Sequence, residues 1–153
     1  MCSVLGVFDP RPAADLTALR AQALERSALQ RHRGPDWSGV HVDPHAVLVH
    51  ERLAIVDPAG GAQPLYSADG ELVLAVNGEI YNHKMLELGL ETPYAFQTAS
   101  DCEVINALYR EAAGREGDAG AAAITKALQR INGIFAFTLW DKARQRFIIA
   151  RDA

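Results

Sequence analysis

Segments of strand and helix length follow one another in blocks along this chain instead of alternating strictly. That order favours an α+β domain built on antiparallel sheets over a parallel βαβ fold. Val4 to Phe8 is a short apolar run stopped by Asp9-Pro10, as a buried strand would be. Ala13 to Arg31 has no Gly or Pro and puts Leu16, Leu19, Ala23 and Leu24 on one face, which predicts an amphipathic helix broken by Arg33-Gly34-Pro35-Asp36. Val40 to Val42 and Ala46 to Arg52 read as two strands about an Asp43-Pro44 turn, with Leu53 to Val56 continuing apolar and Pro58 to Gly61 a flexible loop. Leu72 to Val76 predicts a buried strand running into Asn77-Gly78, a tight-turn dipeptide, and a short helix near His83 to Leu90 follows. Ser100-Asp101-Cys102-Glu103 has the form of a capping box, with Val104, Ile105, Leu108 and Ala112 as the apolar face behind it. Gly114 to Gly120 reads as a loop and Ala121 to Arg130 as a helix. Phe135 to Trp140 and Phe147 to Ala150 read as a hairpin.

At 153 residues this is one domain, large enough for an ordinary core, and 49% hydrophobic with 22% charged residues is a globular composition. A net charge of -4 with no Lys/Arg run argues against a nucleic-acid surface. No apolar stretch approaches the roughly 18 residues that cross a bilayer, and no signal-peptide layout is visible, so a cytoplasmic setting without membrane association is expected. Two cysteines, Cys2 and Cys102, make no disulfide framework.

Cys2 follows the initiator Met1 directly. Removal of Met1 would leave one residue with both a thiol and a free α-amine, a nucleophile and a base of pKa near roughly 8. By position alone, Cys2 could equally be a small apolar residue opening a strand. Asn77-Gly78 offers a side-chain amide and a backbone N–H on neighbouring residues, and a plain turn accounts for it as well. Arg52 could grip a carboxylate with two parallel donors, or be a solvated charge at a strand end. Asp101 could accept from an ammonium, or complement a helix N-terminus. His41 and His45 would lie on one strand face roughly 13 Å apart, and with His50 they make no zinc spacing, so no metal is expected. Cys102 reads as buried and apolar, Trp37 and Trp140 as core or domain-contact rings. Arg33 to Asp36 reads as a structural loop without chemistry.

Several segments together resemble one family. Met1 to Gly6 is similar to the start of class II glutamine amidotransferases, which are N-terminal nucleophile hydrolases. Arg31-His32-Arg33-Gly34-Pro35-Asp36-Trp37-Ser38-Gly39, His50 to Asp57 and Gly61-Ala62-Gln63-Pro64-Leu65 resemble the glutaminase domain of glutamine-hydrolysing asparagine synthetases. So do Val76-Asn77-Gly78-Glu79-Ile80-Tyr81-Asn82-His83, Ser100 to Ile105 and Gly133 to Phe137. The resemblance runs through the whole chain in the family's order. It implies a four-layer αββα sandwich of antiparallel sheets, with residues 1–153 a type-2 amidotransferase domain truncated at its C-terminus.

The function it implies is hydrolysis of L-glutamine to glutamate and ammonia through a thioester. Cys2 would be the nucleophile, and Asn77 and Gly78 the oxyanion donors. The glutamine site would comprise Arg52, Leu53, Ala54, Ile55, Val56, Asn77, Gly78, Glu79 and Asp101, with the apolar members acting through backbone and shape. Neither a Walker loop nor a G-x-G-x-x-G is present, and the family's ATP-pyrophosphatase domain is absent. ATP and magnesium would belong only to that synthetase domain, a partner in cis or trans that amidates aspartate; the domain itself needs no cofactor. A homodimer of the full-length protein also fits the resemblance. Alternatives are the glutaminase domain of a glucosamine-6-phosphate synthase or amidophosphoribosyltransferase type of enzyme, and a non-catalytic regulatory remnant.

Overall fold

The computed structural model describes residues 2–9, 11–53, 62–113 and 121–152. In chain order the elements are β1 (Ser3–Phe8), α1 (Leu16–Ala28), β2 (Trp37–Val42), β3 (Ala46–Arg52), β4 (Leu65–Tyr66) and β5 (Leu72–Ile80). Then come α2 (His83–Leu88), α3 (Val104–Ala113), α4 (Ala121–Leu128), β6 (Gly133–Asp141) and β7 (Arg146–Arg151). Their strands form two antiparallel sheets, in the orders β1-β3-β2 and β4-β5-β6-β7.

The layering follows from alternation along the two central strands. In β3, Val47 and Val49 pack with Ala23 of α1, while Ala46 and Leu48 pack with Val73, Ala75 and Trp140 of the second sheet. In β5, Val73 and Ala75 face the first sheet, whereas Leu72, Leu74 and Val76 pack with Ile105 and Leu108 of α3. Helix, sheet, sheet and helices are therefore stacked in that order, the αββα sandwich expected from the resemblance. Both faces of β3 and β5 are covered, which is why their sequences run apolar without alternating.

Local signals are revised where long-range contacts compete with them. Asn77-Gly78 is not a turn: β5 runs straight through it, with Asn77 paired to Ala136 and Gly78 to Phe135. A side chain at Gly78 would put its Cβ 2.3 Å from the Ile134 carbonyl oxygen, so glycine here serves a close strand approach instead. The Ser100 capping box is only half made. Ser100 Oγ accepts from the Cys102 N–H, but the Glu103 carboxylate accepts from the N–H groups of Gln97 and Thr98, and the first turn is 3₁₀. Helix α1 starts later than predicted because Asp15 caps it, accepting from Thr17 and Ala18, and Leu16 beyond the packed face stays largely exposed. The loops expected at 58–61 and 114–120 lie outside the described residues.

His41 and His45 do not share a strand face. His41, next to last in β2, lies beside Asp43 and Tyr66, while His45 lies in the following turn with Nδ1 against the Asp9 carbonyl oxygen. Trp140 is buried and donates its indole N–H to Asp43, whereas Trp37 is exposed and belongs to no core cluster.

Candidate active site

Cys2 precedes β1, and the β1–β3 register (Ser3 opposite Glu51), carried one residue further, sets it opposite Arg52 at the end of β3. Its sulfur lies 3.3 Å from the Leu53 N–H, which donates to it, and 3.7 Å from the Leu53 carbonyl oxygen. Leu53 thus meets the sulfur with its backbone groups, its apolar side chain having no polar atom to offer.

The Arg33 to Asp36 loop holds this corner from outside. Arg33 Nε donates to the Cys2 carbonyl at 3.2 Å, and the Asp36 N–H to the Arg52 carbonyl at 3.0 Å. Gly34 lies against the backbone of Glu51, where a Cβ would come within 2.1 Å of the carbonyl oxygen. Glu51 itself is buried between α1 and β2, accepting from Ser27 and Ser38. Burial acts to raise its carboxyl, but those hydroxyls and the Arg31 guanidinium outweigh it and hold the group below its ordinary value.

Opposite Cys2, alternation along β5 turns Asn77 toward the first sheet, on the face of Val73 and Ala75. A cleft of about 240 Å³ opens there, lined by Cys2, Arg52, Leu53, Asn77, Gly78, Glu79 and Asp101. Every described residue of the sequence-derived site is therefore in one cavity; Ala54, Ile55 and Val56 lie outside the described residues. Gln63, Tyr81, Ser100, Cys102 and Ile134 also line the cleft and were missed as site residues. All five fall in segments that carry the resemblance (Gly61 to Leu65, Val76 to His83, Ser100 to Ile105 and Gly133 to Phe137), but only tertiary contact brings them to the cleft. Cys2 and Asn77 additionally border a larger cavity of about 690 Å³, which Ser3, Phe137 and Thr138 help line.

The exposed edge of β5 defines the donor geometry. Pairing with β4 reaches only Leu74, so Val76, Gly78 and Ile80 present their N–H groups beyond the end of that ladder. The Val76 N–H donates to Gln63 Oε1 at 2.8 Å, and the Ile80 N–H to Asp101 Oδ2 at 2.6 Å. Gly78 lies between them on the same edge and lines the cleft. Asp101 is thus more than an electrostatic neighbour of a helix: it ties the end of β5 to the turn before α3. Arg52 is buried at 7% exposure, so it is not a solvated strand-end charge.

Cys102 is buried against Gly78 and Asp101, and burial, followed by the Asp101 charge, pushes its thiol far up. It is poorly suited to be a thiolate. His50 crosses between the sheets, its Nε2–H donating to the Val76 carbonyl at 2.9 Å. Burial brings its pKa down to about 4. An unfolded His titrates near roughly 6.5, so this depressed value leaves stability intact above that pH and removes it as pH falls toward 4. Between pH 7 and 5 the chain is expected to lose about 2 kcal/mol more than a His50→Gln variant, checked by denaturant unfolding of both. Equal losses would mean that His50 titrates normally.

Among the described residues, no three His, Cys, Asp or Glu side chains are grouped to hold a metal, and no helix is long and apolar enough to cross a membrane.

The sequence model of the glutamine amidotransferase domain matches residues 1–153. Asparagine synthetase B (glutamine-hydrolyzing) of Escherichia coli K12 is 49% identical over 152 residues, 99% of this chain and 25% of that protein. Asparagine synthetase (glutamine-hydrolyzing) 2 of Oryza sativa subsp. japonica is 47% identical over 154 residues, 100% of this chain and 24% of that protein. The chain therefore spans about a quarter of the length of the curated relatives it matches.

Among solved structures, the glutamine phosphoribosylpyrophosphate amidotransferase from B. subtilis shares the fold with a TM-score of 0.63 at 22% identity, over 97% of this chain and 37% of that one. A structure described as the allosteric regulatory enzyme of purine biosynthesis aligns at 0.55 with 30% identity, over 72% of this chain and 24% of its own. The fold, the cleft at Cys2 and the match through the whole chain agree: this chain belongs to the glutamine amidotransferase domain family, and it matches the glutaminase part of glutamine-hydrolysing asparagine synthetases.

Proposed function

We propose that the cleft hydrolyses L-glutamine to glutamate and ammonia, with Cys2 as nucleophile once Met1 has been removed. The observation that carries this is the shared cleft: one thiol at the chain start, one buried Arg, one buried Asp and an Asn-Gly pair line the same 240 Å³. Free glutamine carries one carboxylate, one ammonium and one amide. The Arg52 guanidinium suits the carboxylate, Asp101 the ammonium, and Cys2 the amide carbon.

In the first step the α-amine of Cys2 takes the thiol proton and sulfur bonds to the amide carbon. The oxyanion that forms is met by the Asn77 carboxamide and the Gly78 N–H. The α-amine returns the proton to the departing nitrogen, the C–N bond breaks, and ammonia leaves a thioester. Water then attacks the thioester; its proton passes through the same amine to the thiolate, releasing glutamate. No metal or organic cofactor enters either step. The second cavity, bordered by both Cys2 and Asn77, is the side we assign to departing ammonia.

We further propose that the ammonia serves ATP-dependent conversion of aspartate to asparagine by a synthetase domain, in the cytoplasm. The relatives named asparagine synthetase support the synthetase partner.

Arg52→Lys keeps the charge but loses the two-point grip, so KM for glutamine should rise roughly 10–100-fold with a smaller change in kcat. Asp101→Asn should act the same way, since its amide oxygen can still accept from the Ile80 N–H while the ammonium loses its counter-charge. Steady-state glutamine hydrolysis measures both. Unchanged KM in both variants would remove these residues from the substrate site.

A further inference from the structure

We infer that Gln63, with His50 behind it, is a positioning residue that fixes the Val76 peptide and through it the Asn77 carboxamide; this rests on the oxyanion role proposed for Asn77. Leu65 pairs with Leu74, so the β4–β5 register, continued two residues, sets Gln63 opposite Val76. Its backbone does not make that rung. The Gln63 carbonyl oxygen instead packs on Gly39 of β2, where a Cβ would lie only 1.7 Å away. The rung is made by the side chain: Gln63 Nε2 donates to the Val76 carbonyl at 3.0 Å, and Gln63 Oε1 accepts from the Val76 N–H at 2.8 Å.

A primary amide, with its donor and acceptor on separate atoms, reproduces both partners of a strand neighbour, which an acceptor-only carboxylate cannot do. The second lone pair of the same carbonyl is taken by His50 Nε2, from the residue paired with Gly39. All hydrogen-bonding capacity of the Val76 peptide on that edge is thereby used, one residue before Asn77. The consequence is a preorganised donor. Asn77 follows a carbonyl held by His50 of β3 and by Gln63 from the segment before β4, so its carboxamide need not reorganise when charge develops.

The test combines Gln63→Leu, His50→Leu and His50→Gln with Asn77→Ala in a glutamine hydrolysis assay. Gln63→Leu should lower kcat roughly 10–100-fold while KM stays within about threefold, the signature of an interaction that matters in the transition state. His50→Leu should lower kcat in the same sense, and His50→Gln, which keeps a donor at similar reach, should restore most of it. In an Asn77→Ala background, Gln63→Leu should add less than about threefold, because its effect passes through the missing group. Gln63→Glu keeps the size and the acceptor and loses the donor; it should show the same kcat-specific loss, and it replaces Gln63→Leu if that variant does not fold.

A rise in KM at constant kcat, no change in either parameter, or a full additional loss in the Asn77→Ala background would each overturn the positioning role. Asn77→Ala alone leaving kcat unchanged would instead overturn the oxyanion role on which it rests.

Discussion

Replacing Cys2 by Ala should lower glutamine hydrolysis by roughly 10⁴-fold or more, the scale seen when a covalent nucleophile is removed. The fold should survive, because Cys2 precedes β1 and is only partly buried, contributing little to either core cluster of the first sheet. Retention of Met1 should produce a comparable loss through a different group. The thiol would remain, but the nitrogen would be locked in a peptide bond and could not take its proton. Intact-mass measurement alongside the hydrolysis assay separates the two cases. Full turnover by a preparation that keeps Met1 throughout would sink the α-amine as base.

Asn77→Ala is expected to cost roughly 10²–10³ in kcat, the usual loss for one oxyanion donor, with KM nearly unchanged. Ala fits the strand at this position, since the Asn77–Ala136 rung is made by backbone groups. A defect in turnover without a defect in stability is therefore predicted, and thermal unfolding of the variant checks the second half. A loss of stability with turnover intact per folded molecule would mean that the Asn77 side chain serves only the strand.

The residues whose chemistry is visible in their type were legible in the sequence. A thiol beside the start, an Arg at the end of an apolar run and an Asp behind a serine cap all lie in the cleft. The strands of the central layers were legible too, because β3 and β5 carry continuous apolar runs. What local reading misjudged was Asn77-Gly78. An Asn-Gly pair favours a tight turn only if nothing pairs with it, and here β6, more than fifty residues later, does. The strand interior places Asn77 on the inter-sheet face and Gly78 on the open edge, which a turn would not have guaranteed.

Gln63 and His50 escaped notice for a related reason. Gln63 entered only as one letter of a family segment and His50 was weighed as a metal ligand, whereas the partner of each is a backbone group of Val76, 13 or 26 residues away. The Glu103 carboxylate likewise caps the preceding segment instead of the residue that local spacing assigned to it.

Which sulfur reacts decides the mechanism. Both thiols line the same cleft, but Cys102 is buried, and burial together with the adjacent Asp101 charge raises its thiol well above the ordinary range. The most direct measurement is covalent labelling with a glutamine analogue that carries an electrophilic ketone in place of the side-chain amide, followed by peptide mass mapping. One adduct is expected, on Cys2 of chains lacking Met1, appearing in step with loss of glutamine hydrolysis and slowed by added glutamine. An adduct on Cys102, or complete loss of activity with Cys2 unmodified, would contradict Cys2 as the nucleophile.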